Sequence, residues 1–503
     1  MRLNIAANVA GRLWVSLMNF AFVPLYVHFL GIESYGLIGF FVALMSAFMV
    51  LDMGLSVTIN RELAKYSATS GWHVEGRDLL RTFEILYWII GAILSGGLIL
   101  AAPVIAKHWL QPEVLTVEQT TLAIRLMGVA VFFRWPQPLY TGALMGLGRQ
   151  IVQNGVLIFG ATLQGGGVVL VLWLISPSIK AFFLWQIFAV SVQSMLLIIT
   201  TWRSVPSLGH HPKFSLGALY KLFRFSAGVT GIAFFSVILT QSDKFLLSKL
   251  LPLTEFGYYA LASAIAGVLS MGAMAVYAAA FPALSQRVAA GDTEGVIGLY
   301  RQSSQLLAIM MLPVGISVAM FSTELMAIYT GSAEIASKTH GILSLLAIGN
   351  LILSIMVLPL ALQLSYGWTK LSIYKNIIAI PIYVPSIIFL TNHFGSTGAA
   401  LAWVLLSMGY FLFEVPIMHQ RLIKQTMWPW YIQDVGVPAV VSIIVLGTGR
   451  FLIAPTLQPT WIVVVMIGII TGIAICVSAL ASPKTRMLIL AEVKKRYKLS
   501  NAN

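Results

Sequence analysis

Arg134 is the residue whose type and position point most directly to chemistry. It lies in the run Phe132–Pro138, about 15 residues into an apolar segment, near the middle of a helix that rises about 1.5 Å per residue. Pro136 and Pro138 each lack a backbone N–H and should bend that helix. A guanidinium at this depth either lines a polar cavity or pairs with another buried charge, and we favour the cavity.

Three more ionisable residues lie within apolar segments of the first half of the chain. Asp52 either neutralises Arg134 or carries a coupling proton, and pairing is the favoured interpretation. Arg61 lies nine residues further, on the opposite helix face, and suits a lipid headgroup or a substrate equally. Arg12, about two turns into the first segment, suits a cavity mouth or an inner headgroup equally.

Asp243 and Lys244 form a second charged site, near the outer end of an apolar segment. A local ion pair or an outer gate is the favoured interpretation, and direct contact with a substrate is the alternative. Arg125, near the outer interface, is predicted to be structural. Glu84 and Glu414, near cytoplasmic interfaces, are predicted to be solvated.

The deepest charges of the first half carry a net positive charge. Fixed cations in low-dielectric surroundings favour an anionic ligand, and the donor fork of arginine suits phosphate. A diphosphate joined to a long lipid would fit such a site. The candidate substrate-binding residues are Arg134, Arg12, Arg61, Asp52 and Lys244, and the candidate coupling or gating residues are Asp52 and Asp243.

Motifs for catalysis or metal binding are missing from the sequence. It contains no Walker A motif, no His-Glu-x-x-His and no Gly-x-Ser-x-Gly. His210 and His211 have no acidic or cysteine neighbours, and the lone Cys476 lies in an apolar run. We therefore expect a protein that is not an enzyme and that uses no cofactor and no metal.

The composition places these residues in a membrane protein. The chain has 503 residues, of which 58% are hydrophobic and 10% are charged, and its mean hydropathy is +0.89. Soluble domains carry about 25% charged residues. The net charge of +14 comes from basic residues scattered between apolar runs, which argues against a nucleic-acid partner and agrees with the positive-inside rule.

Apolar runs predict an all-α polytopic membrane protein with about fourteen transmembrane helices. Most lysines and arginines fall on one side if both termini are cytoplasmic, which we therefore predict. The first run reaches Leu30, beyond the core of a signal peptide, and should be retained as a span. The predicted spans are 5–29, 36–64, 80–106, 119–146, 150–176, 181–202, 223–250, 256–285, 302–323, 339–366, 371–391, 397–420, 432–453 and 460–481.

The sequence also predicts an internal duplication. Gly36 and Gly257 differ by 221 positions, as do Pro138 and Pro359. Two parallel six-helix halves should then enclose a substrate path. The predicted domains are a six-helix bundle at 1–202, a cytoplasmic linker at 203–222, a second six-helix bundle at 223–420, helices 13 and 14 at 421–481 as an appendage, and a basic cytoplasmic tail at 482–503.

Three stretches resemble a known family. Leu51–Lys65 resembles the second-helix segment of Wzx-type polysaccharide (O-antigen) flippases, and Gln241–Lys249 with Glu255–Ala260 resembles their seventh-to-eighth helix junction. The resemblance implies the MATE-like fold of the multidrug/oligosaccharidyl-lipid/polysaccharide (MOP) exporter superfamily, with two bundles around a central cavity. It implies that Arg12 and Arg134 act like the cavity arginines of lipid II flippases in that superfamily.

The resemblance further implies that the chain moves undecaprenyl-diphosphate-linked oligosaccharide units from the cytoplasmic to the periplasmic leaflet of a bacterial inner membrane. Its expected partners are that lipid-linked oligosaccharide diphosphate, membrane lipids, H⁺ or Na⁺ as coupling ion, and polysaccharide polymerase machinery. A cation-coupled multidrug exporter of the same fold is the second hypothesis, although Arg12 argues against a cavity for cationic drugs. A membrane-embedded glycosyltransferase or polymerase is the third, although the chain lacks a sizeable extramembrane loop.

Overall fold

The computed structural model describes residues 2–52, 54–69, 71–207, 209, 211–215, 235–424, 426–452, 461–483 and 485–487, and every regular element within them is helical. The first helices are α1 Arg2–Ala21, α2 Val23–Phe48, α3 Leu55–Tyr66, α4 Trp72–Val104, α5 Val117–Arg134, α6 Gln137–Gly146, α7 Gln150–Leu174, α8 Ile179–Ser204 and α9, described over 235–250. The later helices are α10 Leu253–Ala289, α11 Thr293–Met320, α12 Ser322–Thr330, α13 Ala333–Ile355, α14 Val357–Ser365, α15 Lys370–Gly409, α16 Val415–Leu422, α17 Met427–Pro429, α18 Val437–Leu452 and α19 Trp461–Ala481.

Ten helical stretches among the described residues are long and apolar enough to cross a membrane. Two of them, Val23–Asp52 and Lys370–Leu422, contain a glycine with left-handed backbone, Gly31 at φ 78° and Gly395 at φ 60°. Both glycines fall between pairs of spans that the sequence predicted to be separate. The all-α polytopic membrane fold is confirmed, and the number fourteen stays a prediction.

The chain divides by its internal contacts into two compact units, Met1–Gly257 and Tyr258–Asn503. The sequence had placed the division in the linker at 203–222. Helix α9 groups with the first unit because side chains of the α4–α5 connection bind its C-terminal end. Trp109 Nε1 donates to Ser248 Oγ (3.0 Å), and Gln111 Nε2 donates to the Lys249 carbonyl (2.8 Å).

Helix breaks recur at equivalent places in the two units. Helix α5 ends at Arg134 and α6 begins at Gln137, while α13 ends at Ile355 and α14 begins at Val357. These positions keep the spacing of about 221 that the sequence suggested. Gly148 and Gly367, which follow α6 and α14, both adopt positive φ, at 70° and 68°. Each unit therefore contains a span that is broken at this equivalent position and is followed by a glycine with positive φ.

Glycines allow close helix crossings within the first unit. A Cβ on Gly36 of α2 would lie 2.6 Å from the Leu253 carbonyl oxygen, and a Cβ on Gly257 of α10 would overlap the Ile32 carbonyl. The contact is reciprocal between positions that are 221 residues apart. It joins the two segments that the predicted duplication pairs.

Helix α6 packs against α3 through a second pair of glycines. A Cβ on Gly142 would overlap the Ser56 carbonyl, and a Cβ on Gly146 would overlap the Asn60 carbonyl. Glycines four residues apart lie on the same helix face, so the two backbones approach closely along about one turn. These short helices, each the half of a broken span, thus form a tight pair.

The last helices belong to the core of the second unit. Arg301 of α11 makes a two-point ion pair with Asp434, Nε to Oδ2 at 2.7 Å and Nη2 to Oδ1 at 3.1 Å, and Asp434 is fully buried. Thr471 of α19 donates to Ser317 of α11 (2.9 Å). The pair predicted as an appendage is therefore fixed to α11 by buried polar contacts.

Candidate functional site

The break between α5 and α6 positions Arg134. Pro136 and Pro138 cannot donate backbone hydrogen bonds, so the helix opens over two residues, as the sequence predicted. Ser194 of α8 compensates in part, because its Oγ donates to the Phe133 carbonyl (2.6 Å). The last residue of α5 is Arg134, whose side chain leaves the helix where the backbone is open.

Arg134 is half-buried and keeps its charge unpaired within the described chain. Its Nη1 donates to Gln164 Oε1 at 3.5 Å, and the ion pairs among the described residues do not include it. A guanidinium has five N–H donors. Most of those donors remain available to a ligand, which is the arrangement expected of an anion receptor.

Three glutamines form a hydrogen-bonded cluster that reaches Arg134 through Gln164, and the sequence analysis missed them. Gln164 Nε2 donates to Gln193 Oε1 (2.8 Å), and Gln137 Nε2 donates to Gln193 Oε1 (3.4 Å) and to Ser194 Oγ (3.0 Å). We call Gln137, Gln164, Gln193 and Ser194 the amide cluster. The available signal was three glutamines inside predicted spans, where polar side chains need partners.

Asp52 is bound by neutral donors and not by Arg134. The span of α2 and α3 is interrupted at Met49–Asp52 and at Gly54, whose φ is 72°. Asp52 is buried there; Tyr87 Oη donates to its Oδ1, and Ser56 Oγ donates to its Oδ2 (2.7 Å). The predicted pairing with Arg134 is therefore wrong, because the bend at Gly54 turns the carboxylate towards α4 and the start of α3.

The comparisons with known proteins identify the family. A family model described as "Polysaccharide biosynthesis protein" matches residues 2–288, more than half of the chain. The chain belongs to this polysaccharide biosynthesis protein family. A second model, MatE, matches residues 229–389. A search of curated proteins found no significant match.

Solved structures share the fold of this family member across most of its length. "Lipid II flippase MurJ, inward closed conformation" aligns with TM-score 0.74 and 15% identity, covering 97% of this chain and 100% of that one. An inward-facing "multidrug resistance MATE family transporter of the MOP superfamily" gives 0.66 and 14%, covering 80% and 95%. The MATE multidrug transporter DinF-BH gives 0.59 and 14%, covering 84% and 94%. The MOP fold is confirmed, and the solved structures that share it are described as a lipid II flippase and as multidrug transporters.

The other predicted site residues of this family member have different partners from Arg134. Arg61 donates to Glu62 through Nε (2.9 Å) and Nη2 (2.6 Å), with its side chain 40% exposed. Arg12 is exposed on α1 and has no side-chain partner among the described residues. Lys244 lies 3.7 Å from Asp243, which confirms the predicted local ion pair. Their roles towards a substrate stay predictions.

Two carboxylates that were predicted to be solvated are buried. Glu84 accepts from Tyr140 Oη (2.7 Å), Trp202 Nε1 (3.0 Å) and Arg81 Nη1 (2.8 Å). Glu414 accepts from the Gln363 amide (2.8 Å) and from Lys375 Nζ (2.7 Å). The prediction was wrong because a position near a helix end does not show whether neighbouring helices bury the side chain. The sequence predicted no metal site at His210 and His211, and His210 lies outside the described residues.

Proposed function

We propose that the chain is a flippase that moves undecaprenyl-diphosphate-linked oligosaccharide repeat units from the cytoplasmic to the periplasmic leaflet by alternating access. The observation that supports it is Arg134, a half-buried guanidinium at a broken span whose side-chain contact among the described residues is an amide oxygen. A phosphate group could take the donors that Gln164 leaves available. The polysaccharide biosynthesis family agrees with a glycan-bearing substrate.

Asp52 is proposed as the coupling residue. Its carboxylate accepts from Tyr87, and the Tyr87 ring packs against Trp135 with ring centroids 6.1 Å apart. Trp135 directly follows Arg134. Protonation of Asp52 during H⁺ coupling would remove one acceptor position and release Tyr87 or Ser56. Because Tyr87 packs against Trp135, such a change at Asp52 would be passed through Tyr87 to the helix break at Arg134. Na⁺ is the alternative coupling ion.

The proposed setting is a bacterial inner membrane with both termini cytoplasmic. It follows from the predicted distribution of lysine and arginine and from the proposed substrate. The substrate would then be delivered at the cytoplasmic leaflet and used by polysaccharide polymerase machinery at the periplasmic one. A multidrug exporter is less well supported, because a fixed unpaired cation repels cationic drugs.

The test is glycan export in cells whose surface glycan depends on this chain. Replacing Arg134 with Ala removes charge-assisted hydrogen bonds, so export should fall at least about tenfold while the protein still inserts. Arg134→Lys should keep part of the activity, because lysine retains the charge without the fork. Arg125→Ala is the matched control on the same helix and should export normally. Wild-type surface glycan in Arg134→Ala at normal membrane abundance would contradict the proposal.

A further inference from the structure

We propose that Gln164 keeps Arg134 competent for an anionic ligand by accepting its hydrogen bond without neutralising its charge. The inference rests on the proposed function and adds a residue that positions the cation. Gln164 Oε1 is the side-chain acceptor of Arg134 among the described residues, at 3.5 Å. An amide oxygen orients a guanidinium but leaves its full positive charge for a lipid-linked diphosphate.

Five other arginines in the described chain have a carboxylate as partner, whereas Arg12 and Arg77 have none among the described residues. The pairs are Arg61–Glu62, Arg81–Glu84, Arg287–Asp292, Arg301–Asp434 and Arg450–Glu324. A buried arginine without such a partner is costly, because desolvation disfavours its charge. Arg134 thus differs from those five arginines, and it lies directly beside a break in its span. The cost is understandable if a ligand supplies the missing negative charge.

The orientation of the Gln164 amide is fixed by its neighbours. Its Nε2 donates to Gln193 Oε1 (2.8 Å), so its Oε1 must point the other way, towards Arg134. The reverse orientation would place an NH₂ group against guanidinium donors and an oxygen against the Gln193 oxygen. Gln193 is itself held by the Gln137 amide (3.4 Å). The amide cluster therefore leaves one acceptor facing Arg134.

A glycine makes room for this arrangement. Gly160 lies four residues before Gln164 on the same face of α7, and a Cβ there would overlap the Gln193 side chain. Gln193 can cross α7 at Gly160 and reach Gln164 because that position has no side chain. The cluster is therefore supported by the packing of α7 against α8 and not only by its own hydrogen bonds.

A carboxylate at position 164 would have the opposite effect. It could pair with Arg134 through two hydrogen bonds and would act as an internal anion in place of the ligand. Gln164→Glu should therefore weaken the binding of a diphosphate, while its ion pair with Arg134 should keep the fold more stable than an uncharged side chain at position 164 would. Gln164→Met, which has a similar length and no charge, should lower stability and leave more of the binding intact.

The experiment measures binding of radiolabelled undecaprenyl diphosphate to the purified full-length protein in detergent, with undecaprenol as the uncharged probe. We expect Gln164→Glu to bind the diphosphate at least about tenfold more weakly than wild type and more weakly than Gln164→Met. Its melting temperature should nonetheless be above that of Gln164→Met. Gln193→Glu, whose carboxylate would be one amide further from Arg134, should lose less binding than Gln164→Glu.

The outcomes separate this inference from the proposed function. Equal binding of the diphosphate by wild type and Gln164→Glu would overturn the inference alone. So would a Gln164→Glu protein that both binds more weakly and melts at a lower temperature than Gln164→Met. Wild-type protein that does not distinguish undecaprenyl diphosphate from undecaprenol would overturn the proposed function together with the inference.

Discussion

Single residues in the first unit show how a membrane protein holds buried charge. Asp52 is bound by Tyr87 and Ser56, and Glu84 by two aromatic donors and Arg81. Hydrogen bonds to an ionised acceptor are stronger than those to a neutral one, because the charge would otherwise be poorly solvated. The tyrosines near these carboxylates therefore contribute to stability beyond the apolar area that they bury.

Tyr87→Phe tests this contribution. The change leaves the Asp52 carboxylate without its tyrosine donor, and we expect the free energy of unfolding to fall by about 1.5–3 kcal/mol. Tyr26→Phe is the matched control, since the buried Tyr26 donates to a neutral acceptor, the Gly165 carbonyl (3.2 Å), and should cost only about 0.5–1.5 kcal/mol. Both values can be measured by denaturation in mixed micelles. Equal losses would show that the charge of Asp52 is not what Tyr87 stabilises.

At the scale of helices, the broken spans are the informative elements. Helices α3 and α6 are the halves that follow the breaks at Gly54 and Pro136, and they pack together through Gly142 and Gly146. Breaks at membrane depth are tolerated where protein or a polar cavity satisfies the open backbone. Here the breaks place Asp52 and Arg134 next to one tightly packed pair of half-helices.

Gly142→Ala should disrupt this pair. The added Cβ would overlap the backbone carbonyl of Ser56, which cannot move without shifting α3, so we expect a loss of about 1–3 kcal/mol in stability. Gly155→Ala on α7 is the control, because its Cβ would meet no atom within 4 Å, and alanine there should be neutral or stabilising by up to about 1 kcal/mol. Thermal melting in detergent checks both. A fully stable Gly142→Ala protein would show that α3 and α6 are not closely packed.

At the scale of the whole molecule, each compact unit has its own apolar core and its own buried polar contacts. In the first unit the core includes Phe83, Tyr87 and Trp135, directly beside the candidate site. In the second unit the core extends from α11 to Trp430, which precedes α18. The last helices pack against this unit in a cluster that joins Phe321 to Leu446 and Val463, and the ion pairs Arg301–Asp434 and Arg450–Glu324 also bind them to it.

Asp434→Leu should destabilise the whole second unit. It leaves the largely buried Arg301 without its carboxylate, and removing one member of a buried pair costs about 3–5 kcal/mol. The double variant Arg301→Met with Asp434→Leu removes both charges and should recover most of that loss. Unfolding followed by denaturation in mixed micelles measures the cycle. A double variant as unstable as the sum of the two single changes would show that the ion pair is not the source of the effect.

The family resemblance predicted the family correctly, whereas the predicted partner of Asp52 was wrong. The segments Leu51–Lys65 and Gln241–Lys249 pointed to the right superfamily, and the family model that matches 2–288 includes both. The proline break at Arg134 was also predicted correctly, because Pro136 acts on its own helix. The partner of Asp52 was not, because Tyr87 lies 35 positions away and reaches it only after α4 packs beside the α2–α3 span.

The sequence by itself determined the class of protein, the break beside Arg134 and the spacing between the two broken helices, α5–α6 and α13–α14. These properties depend on composition and on the local backbone effects of proline and glycine, which act within one helix. Only the tertiary structure decided that Arg134 contacts Gln164, that Asp52 contacts Tyr87 and Ser56, and that Glu84 and Glu414 are buried. The reason is that a charged side chain takes the partner that helix packing brings within hydrogen-bond distance, and packing joins residues far apart in the chain.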